Sequence, residues 1–130
     1  MLGAVLAQPA SACGHCVEDK IAAVYDFAVV SGAQTAHRHV AFVAIDGSFV
    51  NDAATQRKIT DMVRATKGVD GASVRISLDL AAISFAYDPK RASFAAIHRA
   101  VEKQMAPHGL RLTEMKILDE SAPWPAMVKR

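Results

Sequence analysis

From residue 40 onward, two segments with helical spacing each follow a short apolar run. Between them, two alternating runs stand side by side across a short gap. That order, β-α-β-β-α-β, predicts an α+β fold, the split βαβ or ferredoxin-like arrangement. Right-handed crossovers then give a four-stranded antiparallel sheet with both helices on one face. A third period-3.6 segment near the start predicts an extra N-terminal helix. The 130 residues, 52% of them apolar, suffice for one domain with appendages and a core that needs no staple.

Residues 1–12, "MLGAVLAQPASA", read as the remnant of an export signal. The apolar part is short and no basic residue precedes it, but Ala10-Ser11-Ala12 before Cys13 fits a small-x-small cleavage site. A plain N-terminus of a cytosolic protein, or a lipoprotein acylated on Cys13, are the competing readings. Export predicts a periplasmic or secreted protein. Residues 13–30 carry the cysteines and the N-terminal helix, with Val17, Ile21, Val24 and Ala28 on one face and Tyr25 beside them. Glu18 and Asp19 sit in its first turn, where the helix dipole favours acids. Residues 31–39, "SGAQTAHRH", read as a polar linker.

The domain proper runs from 40 to 118. "VAFVAIDG" is a strand ending in a turn. "NDAATQRKITDMVRATKG" is a helix capped by Asn51 or Asp52, with Ile59, Met62, Val63 and Thr66 on one face and Gly68 as its stop. "SVRISLD", with Val74, Ile76 and Leu78 alternating, and "AAISFAYDP", with Ile83, Phe85 and Tyr87 on one face, form a hairpin. "SFAAIHRAVEKQM" is a helix capped by Ser93, with Phe94, Ile97, Ala100 and Val101 inward. "LRLTEMKIL" is the last strand, and residues 119–130 are a proline-containing tail without period.

The formal charge of +2 comes without a basic block or stripe, which argues against nucleic acid as a partner. No apolar stretch is long enough to span a bilayer. No Ser-His-Asp set, paired carboxylates or phosphate loop can be picked out, so no enzyme is predicted. Phe85 and Tyr87 lack the glycine and basic neighbours of an RNA-binding strand, and their alternation fits a helix-facing core.

"RATKGVDGASVRISLDLAAISFAYDP" followed by "FAAIHRAVEKQMAPHGL" resembles heavy-metal-associated domains, the family of the periplasmic mercury-binding protein and the small copper chaperones. Gly68, Val69, Val74, Tyr87, Asp88 and Pro89 fit the family pattern, and Ile97 and Gly109 fall where its second helix and following turn would place them. The resemblance covers residues 40 to about 117 and implies a ferredoxin-like fold. In the family, the first strand leads into a Cys-x-x-Cys loop that binds a soft metal. Here those two positions hold Val50 and Ala53, so metal binding does not transfer to them. The missing pattern stands upstream: "CGHCVEDKI" looks like that loop and helix start, moved to the N-terminal helix.

Cys13 and Cys16 are the only cysteines. Three fates are open to them. A disulfide across so small a loop would remove little chain entropy and add little stability. Thiol–disulfide exchange would need a thioredoxin-like strand ahead of the motif, and nothing before Cys13 supplies one. Soft-metal binding suits two thiolates on a loop that opens a helix, where helix N–H groups favour the anion. Cleavage after Ala12 would add a free amine with His15 third, a donor set that closes a square plane around Cu(II) or Ni(II). Cys13, His15 and Cys16 are therefore the candidate ligands, with copper expected and zinc, nickel or mercury as alternatives. His37 and His39 flank Arg38 on an extended segment and would add ligands if the helix folded back, although a solvated linker is the preferred reading of the pair. His98 and His108 read as surface or boundary residues.

Two functions follow. One is a periplasmic carrier or buffer of heavy metal, handing its ion to a metal-transport protein. The other is a non-metal interaction or oligomerisation module whose N-terminal helix pairs with a partner or a second copy.

Overall fold

The computed structural model describes residues 17–119. Helix α1 covers residues 17–23 and α2 Phe27–Thr35, followed by β1 His39–Asp46, α3 Ala53–Arg64, β2 Arg75–Ser77, β3 Ala82–Tyr87, α4 Phe94–Met105 and β4 Arg111–Leu118. The strands pair antiparallel throughout in the order β2-β3-β1-β4. This is the ferredoxin-like arrangement that the sequence predicts.

The two domain helices form where their caps and apolar periods place them. Asp52 accepts the amide hydrogen of Thr55 at 2.8 Å to start α3, and Ser93 accepts that of Ala96 at 3.1 Å to start α4. Ile59 and Val63 from α3, with Ile97, Val101 and Met105 from α4, pack on Ala41, Val43, Ile83, Phe85 and Tyr87 of the sheet. Ala100 is exposed, one position off the inward stripe expected of it, and Phe94 is half-buried. Gly68 ends the α3 connection at φ +94°, and a Cβ there would stand 2.8 Å from the Ala92 side chain. Only glycine meets both demands.

The N-terminal part differs from the expected single helix and linker. The helix breaks at residues 24–26, and Asp26 starts a new one by accepting the amide hydrogens of Ala28 at 2.9 Å and Val29 at 3.3 Å. Residues 31–35, expected as linker, complete α2. Their composition is a poor helix former, but Val30 and Ala33 are buried against the sheet, and that burial outweighs intrinsic propensity. The turn at 36–38 then leads into β1, with His37 at φ 60°.

The sheet is therefore covered on both faces. Ile21, Val24, Val30 and Ala33 form a second core with Val40, Phe42, Ala82, Ala86 and Leu118, and Tyr25 stacks on Phe42 with ring centroids 6.4 Å apart. Every residue of β1 from Val40 to Ile45 is buried. The far face of β3 presents Ala82, Ser84 and Ala86, small enough for a chain to lie close. Ser84 donates its hydroxyl to the Val24 carbonyl at 2.6 Å, which satisfies that carbonyl where the helix breaks.

Candidate metal centre

Cys13, His15 and Cys16 lie outside the described residues. What the structure describes is the platform that begins at Val17, the residue bonded to Cys16. Helix α1 is held along its length. Lys20 Nζ donates to the Leu80 carbonyl in the β2–β3 turn, Ile21 is buried, and Val24 receives the Ser84 hydroxyl over the middle of β3. The helix thus runs inward from the turn toward the sheet centre, with Val17 at its outer end.

The β2–β3 turn sits where β1 ends. The Ile45 amide donates to the Ala81 carbonyl at 2.8 Å, and Asn51 Nδ2 donates to Asp79 Oδ1 at 2.6 Å. Residues 47–52, the positions of a heavy-metal-associated loop, therefore share one end of the sheet with the outer end of α1. They stand on opposite faces, and the turn lies between them. Val50 is 66% exposed and Ala53 is the first residue of α3. Val17 at 39% and Leu80 at 38% complete an exposed apolar rim at this end.

The second anchor of the platform is electrostatic. Arg75 Nε donates to Asp26 Oδ2 at 3.0 Å, tying the α1–α2 corner to the edge strand β2. That guanidinium, with the Val29 and Ala28 amides, holds the Asp26 carboxyl below the usual carboxylate range. Neither Lys20 nor Asp26 was singled out by sequence reasoning, yet Asp26 carried a legible signal: an acid directly ahead of Phe-Ala-Val-Val is a cap pattern.

The histidines do not converge on this end. His39 stands at the start of β1, its Nδ1 3.4 Å from the Tyr87 hydroxyl and its ring edge-on to the Tyr87 ring. The seven strand residues after His39, Val40 to Asp46, carry β1 roughly 23 Å to the α1 end of the sheet. The N-terminal segment does fold back, but with the His37–His39 pair at the opposite end. His98 belongs to the packing of α4 on β4. Its Nε2 lies 2.9 Å from the Leu112 carbonyl and 3.7 Å from Glu102 Oε2, with the ring stacked on Phe94. His108 is exposed in the turn before Gly109. Among the described residues, no group of three or more His, Cys, Asp or Glu could hold a metal ion.

No protein-family model matches the chain, and no curated protein matches it. Among solved structures it is similar to the N-terminal domain of a potential copper-translocating P-type ATPase from Bacillus subtilis, determined in the Cu(I)-loaded state. The two are 24% identical over 68% of this chain and 99% of that one, with a TM-score of 0.49.

Proposed function

We propose that the chain is a heavy-metal-binding protein working as a carrier or buffer in the periplasm, with copper as its ion. Cys13 and Cys16 supply thiolates for Cu(I), and His15 adds an imidazole. The observation that carries this reading is the pairing of a Cys-x-x-Cys motif with an anchored helix. The motif ends one residue before α1, and α1 is bound to the sheet through Lys20, Ile21 and Val24. A rigid support lets two thiolates keep one spacing, which a free tail would not. The thiolate is the form that binds soft metals.

Export supports copper further. A chain cut after Ala12 begins Cys13-Gly14-His15, whose amine, two amides and imidazole can close around Cu(II). The same few residues then serve both oxidation states. The interaction-module alternative drew on the N-terminal helix; Ile21, Val24, Val30 and Ala33 of α1 and α2 are buried on the chain's own sheet, which leaves such a module only the exposed side with Val17 and Phe27.

Competition with a chromogenic Cu(I) chelator tests the reading. The mature chain should take one Cu(I), and the Cys13→Ser/Cys16→Ser chain none. Adding one residue ahead of Cys13 should abolish the Cu(II) d–d band and leave Cu(I) binding intact. Equal Cu(I) uptake by wild type and the double variant would overturn the proposal, and an unchanged Cu(II) band would remove the amine from the ligand set.

A further inference from the structure

Folding gathers charge that the sequence scatters. Segments 52–68 and 90–111, which contain α3 and α4, hold nine lysines and arginines against three carboxylates, a surplus of six; the whole chain carries only +2, so the remainder is net negative by four. Two of the three carboxylates are already engaged. Asp52 caps α3, and Glu102 accepts the Leu112 amide at 2.8 Å with Arg111 at 4.0 Å. Among the described residues, the other eight cations of this layer make no ion pair, whereas Arg38 and Arg75, outside it, pair with Asp70 and Asp26. Arg99 and Lys103 stand one turn apart on α4, a like-charge spacing that disfavours the helix. Between these cations the surface is made of small side chains, with Ala65, Ala95, Ala96 and Ala100 all exposed. The result is a face of exposed alanines and cations, hollowed between Arg99, Lys103 and Arg111 and between Arg57 and Arg64, whose mutual repulsion an anionic counter-surface would relieve.

We infer that the outer face of α3 and α4 docks on an anionic phospholipid surface. The face itself selects that occupant. Its exposed side chains include no aromatic ring to stack on unpaired bases, and α1 and α2 close the sheet face that could have offered one. The exposed large apolar residues, Val17, Phe27, Val50 and Leu80, all lie outside α3 and α4, so nothing on this face wedges into a bilayer or fills a protein pocket. Mobile headgroups need only an array of exposed cations and can enter these hollows, each cation being worth about fivefold in affinity near an anionic membrane. Among the described residues, Glu18, Asp19 and Asp26 of the α1–α2 side then face away from the lipid. No cysteine takes part, so the inference stands apart from the metal reading.

Sedimentation of the full chain with vesicles tests it. Vesicles of phosphatidylcholine with one third phosphatidylglycerol should carry the chain down at low salt and release it at 1 M salt, where the screening length is about 3 Å. Pure phosphatidylcholine vesicles should leave it in solution. Lys103→Glu should weaken binding about tenfold or more, while Lys116→Glu should change it by less than about threefold. The second variant makes the same change of charge on β4 opposite Phe42, on the α2 side of the sheet. Absence of binding at low salt, equal binding to both vesicle types, or equal losses from both variants would overturn the inference. Tighter binding to a DNA duplex or to a glutamate-rich peptide at equal anion concentration would assign the face to that class of partner instead.

Discussion

Replacing Val30 by alanine should destabilise the protein by about 2–3 kcal/mol. Val30 is 1% exposed, wedged between α2 and the sheet among Val40, Phe42 and Ala86. The change removes two methyl groups, worth roughly 0.8 kcal/mol each in transfer from water. A residual void of about 40 Å³ adds roughly 1 kcal/mol at the usual cost of a core cavity. Val101→Ala is the matched control, since Val101 is fully buried on the other sheet face beneath α4. Urea unfolding followed by circular dichroism should show one cooperative transition for each variant, with similar losses. The reasoning is that α1 and α2 fold as part of one unit with the sheet. If Val30→Ala cost less than about 0.5 kcal/mol while Val101→Ala kept its full effect, α2 would be a detachable cover, and the second core would contribute little.

Other substitutions probe separate parts of the argument. Asp26 has its folded pKa held below the unfolded value by Arg75 and the α2 amides, so its stabilisation is complete above the ordinary carboxylate range and is lost as pH falls through the lowered value. The stability gap between wild type and Asp26→Asn should therefore be constant near neutrality and close below about pH 4; a gap unchanged at about pH 2.5 would show that the Arg75 contact does not matter. Gly68→Ala should destabilise by more than about 1 kcal/mol in the same unfolding assay, because alanine is strained at φ +94° and its methyl would meet Ala92. Cys13→Ser/Cys16→Ser should leave the unfolding midpoint nearly unchanged, since both cores are built from residues at 21 and beyond; a collapse of the fold would make the cysteine pair structural.

The parts of the fold that read directly from the sequence are those with one dominant signal. The α3 and α4 stripes and the Asp52 and Ser93 caps each report one buried face, and one-sided burial writes a plain period; Ile83, Phe85 and Tyr87 alternate because β3 sets large side chains under α3 and α4 and small ones on its other, equally buried face. The α2 region lacks that plainness. Ala28, Val29 and Val30 run consecutively, and Ser31, Gly32 and Thr35 imitate a linker, so neither period nor propensity marks the helix. The second core was nonetheless written in β1. Six apolar residues in a row, Val40 to Ile45, mean a strand buried on both faces, and some element had to cover the side away from α3 and α4. The small residues Ala82, Ser84 and Ala86 repeat that message on β3. At the candidate site, the proposed chemistry rests on the sequence pattern of Cys13, His15 and Cys16 alone, which lie outside the described residues. The support for it was not legible, because Lys20 to Leu80 and Ser84 to Val24 each join residues 60 apart, and no local pattern encodes such contacts.

Native mass spectrometry of the protein recovered from metal-replete cells tests the central claim most directly, since it reads the N-terminus and the bound ion together. The expected species is a chain beginning at Cys13 and carrying one copper as Cu(I), with no Cu(I) on the Cys13→Ser/Cys16→Ser chain from the same cells, which keeps only the amine and His15 donors for Cu(II). A metal-free species lighter by two hydrogens would contradict this, because it would mean that Cys13 and Cys16 are joined as a disulfide and hold nothing.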